Sequence, residues 1–254
     1  MSNTQTLANM PPHLAALPPL PLVENFTRTA ICDPALHHSL HGKLRRAAGR
    51  AWLKQRGFTA RGVLPDVPRC VLMCVPHTSN WDFTGMVALG GALDFYPAWV
   101  GKDTLFRPPF GAVSRWLGGI PVVRGAGQNQ TAQVAEAIVR ADRCVLAIAP
   151  EGTRKKASRW KSGFWHIAKH ANVPISFGFL DYTHRIIGFG PLVYPGADFA
   201  ADFAQIADFY AGFAGKFPSQ QGAIVASLTA GEASGGEASA SVAKLSATKA
   251  NVAP

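Results

Sequence analysis

A histidine and an aspartate stand five positions apart in Val75-Pro76-His77-Thr78-Ser79-Asn80-Trp81-Asp82-Phe83, directly after the apolar run Cys70-Val71-Leu72-Met73-Cys74-Val75. The run reads as a buried strand. Pro76 ends it, and Thr78, Ser79 and Asn80 are capping residues ahead of an apolar, glycine-broken stretch from Phe83 to Leu93. His77 is therefore expected at a strand-to-helix junction. On a regular helix, positions i and i+5 are about 140° apart, so His77 meets Asp82 only if it stands outside the helix and leans over its first turn. In that geometry the carboxylate accepts from one imidazole nitrogen, fixes the tautomer and leaves the other nitrogen free to take a proton. The competing reading is a capped helix start with a solvated aspartate, and the rest of the chain has to separate the two.

Three further segments place polar or cationic groups where strands are expected to end. In Ala149-Pro150-Glu151-Gly152-Thr153-Arg154, Gly152 lets the backbone approach a ligand, Thr153 supplies a hydroxyl and Arg154 carries the forked donor set that suits phosphate. The strand-like Gly119-Ile120-Pro121-Val122-Val123 delivers Arg124, and Gly101-Lys102-Asp103-Thr104 puts Lys102 at another strand end. Four such ends are what a site at the carboxyl edge of an α/β sheet requires. No strand-end Ser or Cys stands beside a base, as a covalent nucleophile would.

The elements that must hold these residues alternate. Strands are expected at 70–75, 98–100, 119–123, 144–149 and 173–180, and helices at 108–118, 130–140, 160–171 and 199–213. The pattern predicts a single α/β domain whose mostly parallel or mixed sheet is flanked by helices. Ahead of it, residues 36–57 place Leu40, Leu44, Ala47, Ala48, Ala51 and Trp52 at helical spacing among Lys43, Arg45, Arg46, Arg50, Lys54 and Arg56. This basic amphipathic helix suits an anionic membrane surface, or else packs on the core with a solvated basic face. Domain boundaries follow from composition: a Pro-rich arm over 1–25, the domain over 26–218, and a disordered Ala/Ser/Gly-rich tail over 219–254.

At 254 residues, 48% of them hydrophobic, the chain can bury a substantial core, and its net charge of +10 calls for an anionic partner. Cys32, Cys70, Cys74 and Cys144 form no CxxC pair and are expected as reduced thiols in a cytosolic setting. No secretory leader and no membrane-spanning run are expected. His166 and His170 have a metal-like spacing but lack an acidic neighbour or third ligand, so no metal is expected. Trp160, Phe164 and Trp165, beside Lys155, Lys156, Arg159 and Lys161, suit either nucleic acid or a lipid headgroup layer.

In order, His77 with Asp82, the GKDTLFRPPFG segment, IPVVR and PEGTR followed by VPI resemble the four motifs of the glycerophospholipid acyltransferase family, which includes the bacterial 1-acylglycerol-3-phosphate acyltransferases. The resemblance covers roughly residues 70–195. It implies that His77 is a general base oriented by Asp82, and that an acceptor hydroxyl attacks the thioester of acyl-CoA or acyl carrier protein directly. It also implies that Arg124 and Glu151-Gly152-Thr153-Arg154, with Lys102, hold the acceptor's phosphate. No resident cofactor is implied; the acyl thioester is a co-substrate. The implied setting is the cytoplasmic face of a membrane, with an anionic lipid surface and a lysophospholipid as partners, and with the membrane favoured over nucleic acid. Ala149 stands where the family more usually has Phe, Lys155 where it has Ser, and the usual aromatic before Arg124 is missing. The acceptor therefore stays open between 1-acylglycerol-3-phosphate and another lipid. The rival of a different class is a basic protein that binds lipid or nucleic acid without catalysis.

Overall fold

The computed structural model describes residues 10–20, 38–122 and 130–226. Seven strands form one mixed sheet: β1 (Thr59–Gly62), β2 (Arg69–Val75), β3 (Ala98–Lys102), β4 (Gly119–Val122), β5 (Cys144–Ile148), β6 (Ile175–Asp181) and β7 (Ile186–Val193). Their order is β1-β7-β6-β2-β5-β3-β4. β4, β3, β5, β2 and β6 run parallel, and β7 turns back antiparallel on β6 and carries β1 parallel to itself. The helices are α1 (Pro12–Ala15), α2 (Leu40–Arg56), α3 (Asn80–Ala92), α4 (Gly111–Trp116), α5 (Gln130–Arg140), α6 (Gly163–Ala171) and α7 (Phe199–Tyr210). A single α/β domain with a mixed sheet is thus the architecture, as the alternation predicted.

β2 shows why its residues make a central strand. Successive side chains point to opposite faces, so Val71, Met73 and Val75 enter one core with α5, α6 and α7, and Cys70 and Leu72 enter the other with α2 and α3. Neither face is left to water, and burial pushes the Cys70 thiol up to about 12. The β6–β7 hairpin and β1 were not foreseen. The run Ile186-Ile187-Gly188-Phe189 is buried because pairing with both β6 and β1 encloses it.

α2 is a core helix over most of its length. Ser39 caps it by accepting from Gly42 N at 2.9 Å, and Gly57 closes it at φ 69°. It lays Gly42, Arg46, Gly49 and Leu53 against α3, so close that a Cβ on Gly49 would stand 2.3 Å from Ala88 O. The seam uses small residues, and Arg46 is held there by Asp94 at 2.6 Å. The core-packing alternative thus holds for most of the helix, while Leu40 and Leu44 stay exposed at its first turns. The surface patch expected of Trp160, Phe164 and Trp165 is corrected, because all three are buried in the core with Phe203, Ile206 and Tyr210. Their cationic neighbours are solvated, and that mixture had suggested a surface patch.

Part of the Pro-rich arm is docked. Leu14 and Met10 enter the α7 core, Leu20 enters the α2 core, and Leu20 N donates to Ala60 O at 2.9 Å. At the other end the ordered chain runs past residue 218: Gln221 Nε2 donates to Phe213 O, and Trp160 N donates to Val225 O at 2.7 Å. Residues 227–254 of the expected tail lie outside the described residues.

Candidate active site

β2 ends at Val75 and α3 begins at Asn80, and the intervening loop presents His77 at the carboxyl edge of the sheet. Ser79 is the N-cap of α3 and Asp82 its third helical residue, so the two form a capping box. Asp82 does more than cap. Oδ2 accepts from Thr78 N and Ser79 N, both at 2.7 Å, and Oδ1 accepts from Ser79 Oγ at 2.8 Å and Tyr182 OH at 3.0 Å. His77 Nδ1 faces Oδ2 at 3.6 Å, longer than a direct hydrogen bond but close enough for charge to act. Burial pushes the Asp82 carboxyl up, but the nearby His77 ring and the donors from Ser79 and Tyr182 outweigh it and hold the group below the usual carboxylate range. The arrangement is a fixed negative charge behind one imidazole nitrogen, with the ring only a quarter exposed.

Tyr182 was not anticipated, and neither was the segment that braces the same corner from the far end of the chain. Phe217 N donates to Thr78 Oγ1 at 3.2 Å, and Tyr182 N donates to Ala214 O at 2.9 Å. The signal that could have found Tyr182 is its place directly after the buried strand β6, whose carboxyl end lies beside that of β2. Burial and the Asp82 charge push its phenol well up, so it stays a donor to that carboxylate.

Glu151 is placed differently from the phosphate-holding role inferred for it. Its carboxyl is buried, and Oε1 accepts from His77 N at 3.0 Å while Oε2 has no partner among the described residues. Burial raises it above the ordinary glutamate range, against the opposing pull of the His77 contact. An inward carboxyl holding the His77 backbone positions the base and cannot attract a phosphate. The sign for stability follows: a folded value above the unfolded one favours the protonated form, so stability is full below the unfolded pKa and falls as pH rises through the folded value. Glu151→Gln keeps an acceptor for His77 N and removes that loss. It is expected to match or exceed wild-type Tm at neutral pH, whereas Glu151→Leu orphans the N–H and lowers stability by about 1–3 kcal/mol in urea unfolding.

The other inferred residues fall as follows. Gly152 sits at φ 64° in the turn after β5, Thr153 Oγ1 accepts from Lys155 N at 3.2 Å, and Arg154 is exposed. Lys102 ends β3, in register with Val122. Arg124 lies outside the described residues. A residue that the motif reading passed over joins this turn: Lys161 N donates to Pro150 O, and its side chain lies across Gly152, where a Cβ would stand 2.9 Å from Lys161 Cε. The visible signal was a lysine shortly after the glycine turn, read instead as part of a basic aromatic patch.

Behind His77 a cavity of about 140 Å³ runs between α3 and the sheet. It is lined by Pro76 and His77, by Phe83, Met86 and Trp99, and by the edge-to-face pair Phe95 and Phe189. Apart from His77 and Asp82 its lining is almost wholly apolar, and even the Cys74 thiol is pushed up to about 12 by burial and by Asp82. Such a cleft fits a hydrocarbon chain better than a sugar or nucleotide. Among the described residues, no group of three or more His, Cys, Asp or Glu is placed to hold a metal ion.

Residues 59–176 match the family model described as Acyltransferase. No curated protein matches the chain by sequence. Among solved structures, the chain is similar to the crystal structure of the 1-acyl-sn-glycerophosphate (LPA) acyltransferase, PlsC, from Thermotoga maritima. The match has 16% identity and a TM-score of 0.49, and it covers 73% of this chain and 81% of that one.

Proposed function

Because the chain carries an acyltransferase-family domain over residues 59–176, we propose that it moves a fatty acyl group from a thioester donor to a hydroxyl of a phosphate-bearing lysolipid, with 1-acylglycerol-3-phosphate the leading acceptor. The observation that carries this reading is a charge-backed histidine in the lining of an apolar cavity. In the proposed step Nε2 of His77 takes the hydroxyl proton as the oxygen attacks the thioester carbonyl. The C–S bond then breaks, and the imidazolium returns the proton to the leaving thiolate. Asp82 favours the imidazolium throughout, and the cavity takes the hydrocarbon chain.

The acceptor's phosphate would lie over the Gly152 turn, where Lys161 and Arg154 supply positive charge and where Arg124 and Lys102 are proposed to join them. Anchoring the phosphate holds the hydroxyl against His77 and makes the attack effectively intramolecular. The donor, acyl-CoA or acyl carrier protein, and the setting on a cytoplasmic membrane face belong to the same proposal.

The test is thiol release from a panel of acyl-CoAs by purified protein, with lysophosphatidate or a phosphate-free monoacylglycerol as acceptor. Release that depends on acceptor and needs the phosphate supports the reading. Equal release with both acceptors would move the assignment to another lipid, and no release with any donor or acceptor would overturn it. Lys161→Met is expected to raise KM for lysophosphatidate by on the order of tenfold, with kcat much less affected, as loss of uniform binding does. The monoacylglycerol reaction should not distinguish it from wild type.

A further inference from the structure

The surface outside the cavity wall carries a second pattern. Leu40 and Leu44 on α2, Leu105 in the 3-10 turn Asp103–Phe106, and Phe110, Val113 and Trp116 around α4 are all exposed, with Leu40 and Phe110 more than 70% so. They belong to one face. The His41 and Trp116 rings meet at 5.4 Å, the Arg45 guanidinium sits 4.3 Å from the Trp116 ring, and Ser114 Oγ donates to Leu105 O at 2.9 Å. α4 cannot turn these residues inward, because its buried side is already closed on Phe106, whose carbonyl oxygen would stand 2.1 Å from a Cβ on Gly111.

The charge around the face has one sign. Segments 40–56 and 103–116 contain a single acid, Asp103, and Arg107 takes it at 2.7 Å. Lys43, Arg45 and Arg115 lie among the exposed apolar groups. A second copy of the same face would set these cations against each other, so self-association is opposed. An anionic bilayer meets both needs, because indole, phenyl and leucine side chains settle at the headgroup boundary while lysine and arginine reach the phosphates.

Trp99 links this face to the cavity. It lines the cavity, stacks on Phe106 at 5.7 Å and donates from Nε1 to Leu117 O at 3.0 Å, and its neighbour Val100 lines the cavity while remaining 39% exposed. Resting on the acyl-transfer reading above, we propose that the face formed by the first turns of α2, the 103–106 turn and α4 docks on an anionic lipid surface. Docked in this way, the protein sets the Trp99–Val100 wall against the bilayer, so that an acyl chain enters the cavity without crossing water. The contact is made by the start of α2 with α4, rather than by the whole length of α2.

The test is flotation of the full chain with phosphatidylcholine vesicles, with and without phosphatidylglycerol, comparing wild type, Phe110→Ser and Phe110→Ser with Trp116→Ser. Wild type is expected to float with the anionic vesicles and to be released by salt. The double variant should lose on the order of tenfold or more in vesicle affinity, with Phe110→Ser between the two. Acyl transfer to a monomeric short-chain lysophosphatidate should be the same in all three. Equal flotation of all three proteins would overturn the surface, as would indifference to phosphatidylglycerol. A wild-type dimer in sedimentation that the double variant splits would replace the bilayer with a second copy. If flotation follows Phe110 and Trp116 while no protein releases thiol, the surface stands and the enzymatic reading falls.

Discussion

His77→Ala is expected to lower kcat for acyl transfer by on the order of 10²–10⁴-fold, the usual contribution of a positioned general base. KM for the acyl donor should change little, because the cavity that would hold the chain keeps its apolar lining, Phe83, Met86, Trp99 and Phe95 among it, and loses only one ring. The fold should survive: the side chain is a quarter exposed, and Asp82 keeps its four hydrogen bonds from Thr78, Ser79 and Tyr182 without it. Thiol release and thermal unfolding of the same preparation provide the check. Unchanged kcat with unchanged Tm would remove His77 from the chemistry. A collapse of both would make it a structural residue of the loop.

What sequence revealed of this site was its local part. A cap-forming Ser79 three residues before Asp82, behind a strand of Cys70 to Val75, is contained in one short window, and backbone sterics and capping chemistry decide its shape. The same holds for the Gly152 turn after β5. The support shell escaped because it is contributed by residues remote in sequence. Tyr182 comes 100 residues after the carboxylate it donates to, and Phe217 comes 139 residues after Thr78. Neither carries a local signature, and only the adjacency of β2 and β6 in the sheet brings the first of them into reach.

The sequence left α2 open between a membrane surface and the core for a related reason. Its apolar spacing, carried by Leu40, Leu44, Ala47, Ala48, Ala51 and Trp52, does not mark the packed face, because a close helix crossing selects the smallest residues. Gly42 and Gly49 let α2 approach α3, and Arg46 is tolerated between them because Asp94 neutralises it. Leu40 and Leu44 were thereby left outside, where they join a face assembled with α4. In the same way Trp160 and Trp165 were grouped with the lysines around them, although a strand-to-helix connection alternates what it buries. Trp165 Nε1 is satisfied inside by Asp202 at 2.7 Å, which no local pattern announces.

Asp82→Ala and Asp82→Asn are expected to separate the two tasks of this carboxylate. Alanine strips the acceptor from the N–H groups of Thr78 and Ser79 and from the Ser79 and Tyr182 hydroxyls, in a corner with little water access. Losing the capping box and orphaning two buried N–H groups should cost on the order of 3 kcal/mol. Asparagine can set its oxygen at the Oδ2 site, where two backbone donors admit nothing else, and its NH2 at the Oδ1 site. There the Ser79 and Tyr182 hydroxyls can reverse and accept. Its stability loss should therefore be well under half that of alanine. The lost charge still weakens the His77 imidazolium, and kcat should fall about 10- to 100-fold, the scale of one partly screened charge at this distance. The pH dependence provides a further sign. Asp82 titrates below the usual carboxylate range in the fold, so its contribution is present above the unfolded value of about 3.9 and is lost as pH falls through the folded value. Wild type should lose stability more steeply than Asp82→Asn below about pH 4 in urea unfolding, and the two curves should run parallel above pH 5 or so. Parallel curves down to the acid limb would mean that the carboxylate is not held below its ordinary range, and that the donors around it do not favour its charged form over the unfolded chain.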